Sequence, residues 1–179
     1  MQFLKPILLL TAILTLTLAQ STGVAKYDTI YDNANLSTLA VACSDGANGL
    51  YTKGYPTLGS IPGFPNLGGS GTIPGWNSTN CGACYALTYT PPRSPPKTIN
   101  IVAVDVAAAG TFVLSRTALD TLTGGQAVTL GRVDVTWVLV VPSAWIAGGL
   151  ICYVVSGARD GTSRLELEEE LLNIISAIS

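Results

Sequence analysis

Apolar and polar positions alternate in short runs along most of this chain, and each run is closed by glycine, proline, asparagine or aspartate. Residues 24–31 (VAKYDTIY) alternate well enough to predict a first strand, and the DNAN of 32–35 supplies the turn after it. Residues 85–90 (YALTYT), 98–104 (TINIVAV) and 132–141 (RVDVTWVLVV) predict three more strands from their β-branched and aromatic content. PPRSPPK, at 91–97, is the turn or hairpin tip between the first two of these. The stretch 43–75 is too rich in glycine and proline for a long helix and predicts ordered loop with short extended pieces. Residues 111–121 (TFVLSRTALDT) predict one short helix, with Phe112, Leu114, Ala118 and Leu119 on its apolar side and Gly124-Gly125 as its stop. Many short strands with glycine-rich turns and little helix predict a small β-barrel.

The two ends depart from this pattern. MQFLKPILLLTAILTLTLAQ holds one lysine and then an apolar run from 6 to 18, with Thr17 and Ala19 at the spacing a signal peptidase prefers. Residues 1–19 are therefore expected to be a secretory signal, a reading that fits the short run and its flanks better than a membrane anchor does. At the other end, 137–155 carry no charge and 163–179 (SRLELEEELLNIISAIS) predict an acidic amphipathic helix.

Composition narrows the function. The 179 residues allow one domain with a core of useful size. Charged residues make up 11% and the net charge is -2, which leaves no electrostatic footprint for nucleic acid or an anionic membrane. Acidic and basic residues balance from 20 to 155, so the net negative charge of the mature chain sits in the tail. Histidine is absent, which excludes serine–histidine and cysteine–histidine catalysis and removes the commonest metal ligand.

Four cysteines, Cys43, Cys81, Cys84 and Cys152, in an exported chain point to disulfides. NCGACYALTYT opens with a CxxC, but a zinc site would need all four cysteines, and the residues that follow read as a strand where a redox dithiol needs a helix N-terminus. Cys81 and Cys84 could bond to each other; separate, distant partners suit a loop-rich scaffold better, at roughly 2–4 kcal/mol per bond. Neither a metal nor another cofactor is expected.

Among the acids, Asp105 stands out at the end of the apolar TINIVAVD. It reads either as a carbohydrate-contacting or proton-donating acid or as a turn cap. Glycoside hydrolysis normally needs two carboxylates, and the spacing pairs none of Asp28, Asp32, Asp45, Asp120 or Asp134 with it. Asp45, in the loop CSDGANG, could line a hydroxyl-rich ligand, although a self-bonded turn is the simpler expectation. Trp76 could stack on a sugar, but a core position is expected for it. The glycines at 68, 69 and 71 lack the GK[ST] of a phosphate loop. Asn35-Leu36-Ser37 and Asn77-Ser78-Thr79 are N-glycosylation sequons, with Asn35 and Asn77 as acceptors.

VAKYDTIYDNA, VACSDGANGL, TLGSIPGFPNLGG, IPGWNSTNCGACYALTY, TINIVAVD, LTGGQA and GRVDVTWV, in that order, resemble the cerato-platanin family of small secreted fungal proteins. The resemblance covers 24–143. It implies a mainly β fold with short helices, a six-stranded double-ψ β-barrel stapled by disulfides and related to expansins and barwin-like proteins. It also implies location in the fungal wall or medium, binding of chitin-type and other cell-wall oligosaccharides, expansin-like loosening without hydrolysis, and elicitor activity through a plant receptor. It pairs Cys43 with Cys81 and leaves Cys84 for a C-terminal partner, which here would be Cys152. On this reading the protein is not an enzyme. Asp105, with Tyr27, Ser44, Asp45 and Asn80, would line a shallow polar groove, and the alternative is a weak endoglucanase using Asp105 as its acid. The family ends soon after a PSxC-like motif; here PSA is followed by Trp145 and Cys152 arrives seven residues later. Residues 144–179 are thus an atypical extension, expected from intron read-through or a frame change, and any membrane contact would need that extension to be real.

Overall fold

In a computed structural model, residues 20–140 are described. The expected signal segment, the extension and Cys152 lie outside them. Six strands, β1 (Ser21–Tyr27), β2 (Leu67–Ser70), β3 (Cys84–Tyr89), β4 (Lys97–Val106), β5 (Thr111–Leu114) and β6 (Arg132–Val140), are joined by three short 3-10 turns and two helices, α1 (Arg116–Thr123) and α2 (Ala127–Leu130). The strands close into a barrel in the order β1-β5-β2-β4-β3-β6. The pairs β1–β5 and β2–β4 run parallel and the other four are antiparallel. The mainly β, six-stranded barrel expected of the double-ψ type is therefore present. Closure leaves no open sheet edge, which a domain of this size with so few charges would otherwise expose to association.

Local chemistry explains most boundaries. β1 stops at Tyr27 and does not continue to Tyr31, because the Asp28 carboxylate accepts from the Ile30 amide at 3.0 Å and turns the chain into the 3-10 segment Thr29–Asp32. The predicted helix at 111–121 is corrected in its first half. Residues Thr111–Leu114 are strand β5, with Phe112 and Leu114 buried at a period of two, and the helix begins only after Ser115, whose hydroxyl accepts from the Ala118 amide. It ends at Gly124, in the left-handed conformation that a C-terminal glycine supplies. β2 lies inside the glycine-rich stretch, all four of its residues buried. A Cβ on Gly68 would come within 2.1 Å of the Val113 carbonyl oxygen, so only glycine lets β2 fit between β4 and β5.

Leu67, Leu87, Ile101, Val104, Leu114, Leu119 and Leu122 are among the fully buried residues of a single core. Tyr85, Phe112 and Trp137 meet there at centroid distances of 5.4–5.6 Å in tilted or edge-on pairs, a geometry that adds to their burial. Cys43 and Cys81 are joined by a disulfide that closes a 38-residue separation and ties the glycine-rich loops to the loop entering β3. Cys84 is also disulfide-bonded; the expected bond to Cys152 lies outside the described residues.

Candidate functional site

β4 carries Asp105 one residue from its end, opposite Gly69, at the point where the pairing of β2 with β4 slips its register. The half-buried carboxylate is held by three donors. Oδ1 accepts from the amides of Ala42 and Val106 at 2.9 and 2.8 Å, and Oδ2 accepts from the Tyr31 hydroxyl at 2.9 Å. An ionised carboxylate offers about four acceptor positions, so one on Oδ2 remains for an outside donor. Burial, followed by the charge and hydrogen bond of Asp105, pushes the Tyr31 phenol well above its ordinary range, so Tyr31 stays a donor at all physiological pH.

The chain running from Ala42 leads directly to the other expected residues. The Cys43 amide donates to the Val104 carbonyl beside Asp105. Ser44 follows and donates to Asp45 Oδ1 at 3.3 Å, and the same oxygen accepts from the Trp76 indole N–H at 2.6 Å. Asp45 is thus cross-linked to a distant loop and is not simply a self-bonded turn. The Trp76 bond lowers the Asp45 carboxyl below its ordinary value; desolvation opposes it, and the weaker bonds from Ser44 and its own backbone add to the lowering. Trp76 itself is 63% exposed, which corrects the expected core position. A short stretch of chain, Ala42–Asp45, therefore runs from the hydrogen bond with Asp105 to Ser44 and Asp45.

The other two expected residues sit differently. Tyr27 pairs with Leu114 at the end of β1 and packs against the core; Tyr31, four residues later, is the tyrosine that reaches Asp105. Asn80 directs its amide nitrogen to the Thr72 carbonyl at 2.7 Å, part of a polar network in which Thr72 also meets Ser70 and Tyr85. The sequence singled out neither Tyr31 nor Ala42. Tyr31 falls within the predicted first strand, and nothing local separates it from Tyr27. The sequon residue Asn35 is exposed, whereas Asn77 is half-buried and accepts from the Asn48 amide at 2.9 Å.

Asp28, Asp32 and Asp120 have donors of their own. Asp28 caps its own 3-10 turn. Asp32 accepts from the amides of Arg116 and Thr117 and from the Thr117 hydroxyl, and Asp120 accepts from the Ala127 amide. Asp134 lines an open cavity of about 530 Å³ along β1, β3 and β6, beside Thr22, Thr88, Thr90 and Thr136. None of the expected site residues borders this cavity, so we place the candidate site on the hydrogen-bond geometry around Asp105. Among the described residues, no group of three or more His, Cys, Asp or Glu side chains could hold a metal ion.

Comparison with known proteins agrees with this fold. The profile of the family described as Cerato-platanin matches residues 23–146. The "Allergen Asp f 15" of Aspergillus fumigatus is 44% identical over 158 residues, covering 83% of this chain and 99% of the allergen. The protein named "Cerato-platanin" from Ceratocystis fimbriata f. sp. platani is 45% identical over 109 residues, covering 61% of this chain and 75% of that protein. The crystal structure of cerato-platanin 1 from M. perniciosa superposes with a TM-score of 0.64 at 50% identity, covering 66% of this chain and 94% of that one.

Proposed function

The chain belongs to the cerato-platanin family, and from that premise we propose that it is a secreted, non-catalytic protein that binds chitin-type oligosaccharides of the cell wall. Homologues in the family are secreted fungal proteins. The observation that carries the reading is Asp105. Its carboxylate is fixed by Tyr31, Ala42 and Val106 with one acceptor position left, and the chain that runs on from Ala42 carries the Ser44 hydroxyl bonded to the Asp45 carboxylate. That arrangement accepts hydrogen bonds from sugar hydroxyls. Each such bond replaces one with water, so affinity per sugar unit is weak and grows with oligomer length.

The endoglucanase alternative receives no support from the acids. Asp28, Asp32 and Asp45 are each hydrogen-bonded to donors of their own, whereas hydrolysis calls for a second carboxylate across the sugar from Asp105. Expansin-like loosening and plant elicitation belong to the same proposal, as consequences of holding wall fragments or presenting them to a plant receptor.

Titration of the secreted chain with chitin oligomers of increasing length, followed by NMR, tests the reading. Shifts at Asp105, Ser44 and their neighbours that grow with length are expected. No shift at any length overturns it. Release of reducing sugar from soluble glucan, abolished by Asp105→Asn, would restore the enzymatic alternative.

A further inference from the structure

Trp76 is the most exposed aromatic ring among the large exposed apolar side chains of the described residues. Leaving an indole in water forgoes much of the stabilisation its burial would bring, yet this one is not loosely placed. Its N–H is held by Asp45 at 2.6 Å. The following residue is clamped to the facing loop by two bonds, from the Asn48 amide to Asn77 Oδ1 and from Asn48 Nδ2 to the Asn77 carbonyl, both 2.9 Å. Its six-membered ring edge lies against Gly46, where a Cβ would come within 3.1 Å of it. Gly46 has a φ of +83°, which independently favours glycine. The ring is thus held at its N–H and against Gly46 while the residue stays largely exposed. A second exposed aromatic, Tyr51 at 47%, is tied through its amide to the Ser44 carbonyl at 2.9 Å, one residue from the carboxylate that holds Trp76.

We propose that Trp76, with Asp45, Ser44 and Tyr51, forms an aromatic stacking subsite for the C–H face of a β-linked pyranose. It rests on the sugar-binding reading above and extends it beyond Asp105. A β-linked pyranose presents an apolar C–H face and a rim of equatorial hydroxyls. The indole suits the face, and the free acceptor positions of Asp45 together with the Ser44 hydroxyl suit the rim. Trp76 is pre-oriented, so stacking costs little side-chain entropy. Ala42–Asp45 connects the two regions along the chain, from the amide bonded to Asp105 to the carboxylate bonded to Trp76.

Titration with chitohexaose and cellohexaose, observed at the tryptophan indole N–H resonances, tests this. The Trp76 signal is expected to shift while that of Trp137, whose indole nitrogen is buried, stays in place. Trp76→Ala is expected to weaken hexaose binding about tenfold, close to 1.4 kcal/mol, and Trp76→Phe to recover most of it. Thermal melts should stay close to wild type, because the ring is exposed. Wild type that binds through Asp105 with an unmoved Trp76 signal, or Trp76→Ala that binds like wild type, removes the subsite and leaves the sugar-binding reading intact. Wild type that binds neither hexaose overturns both. If Trp76→Ala fails to fold, the indole shift in wild type decides.

Discussion

Asp105 and Asp32 show how a single carboxylate can serve different ends according to its donors. Removing Asp105 as alanine would strand Tyr31, Ala42 and Val106 without their acceptor. An expected loss of about 3 kcal/mol would then confound any binding measurement, so Asp105→Asn is the informative variant. Tyr31→Phe removes one of three donors and is expected to cost about 1.5 kcal/mol, read as a lower urea midpoint with unchanged slope. Asp32 covers the first amides of α1 from a turn 84 residues earlier. Burial raises its pKa, but the bonds from the Thr117 hydroxyl and from the Thr117 and Arg116 amides outweigh it, and the net shift is downward. A lowered folded pKa means the stabilisation is complete above the ordinary carboxylate value of about 3.9 and drains away as the pH falls through the folded value. Asp32→Asn is therefore expected to lose about 1 kcal/mol at neutral pH, a typical cap contribution. The difference in melting temperature should close in strong acid, and a gap that persisted there would assign the effect to packing.

At the level of elements, β2 is the critical insertion. It runs parallel to β4 and antiparallel to β5 in one short, fully buried strand, and its bulge between Gly68 and Gly69 sets the register that places Asp105. Gly68→Ala would drive a methyl into backbone atoms of Val113 and Leu114, which cannot swing aside as a side chain could. The expected cost is about 3 kcal/mol or more, measured by denaturant unfolding, with loss of the Asp105 environment in NMR spectra. A change of similar size at Gly54, where nothing lies within 4 Å of the added Cβ, should act only through its positive φ, at about 1 kcal/mol. β5 teaches a related point about reading the chain. TFVL followed by SRTALDT satisfies a helical spacing if taken whole, but its first four residues have β1 and β2 as hydrogen-bonding neighbours. Tertiary pairing overrides the local periodicity there.

For the whole molecule, the barrel depends on linking a strand framework to long loops with few charges to orient them. The Cys43–Cys81 bond restrains those loops, and closing a separation of 38 residues is worth about 4 kcal/mol on the chain-entropy estimate. The double variant Cys43→Ala, Cys81→Ala is expected to lose about that much in calorimetric stability. The same bond holds the Ala42–Asp45 stretch between Asp105 and Trp76, so chitin-oligomer binding should fall beyond what the lost stability explains. Mass spectrometry of the secreted protein would establish signal cleavage, glycans at Asn35 and Asn77, the partner of Cys84 and the natural C-terminus together.

The β-branched and aromatic content of 85–90, 98–104 and 132–141 was enough to locate three strands, because such side chains fit a pleated surface whatever strand it pairs with. The cysteine count, the missing histidine and the place of Asp105 at the end of the apolar TINIVAVD likewise followed from composition and order. The choice of Tyr31 over Tyr27 beside Asp105, the Asp32 cap on α1, the strand identity of 111–114 and the exposure of Trp76 did not. Each depends on groups brought together from 31 to 85 residues apart or on pairing with another strand. Local propensity is read within a window of a few residues, whereas the donors around Asp105 and the loop that presents Trp76 meet only when the barrel closes.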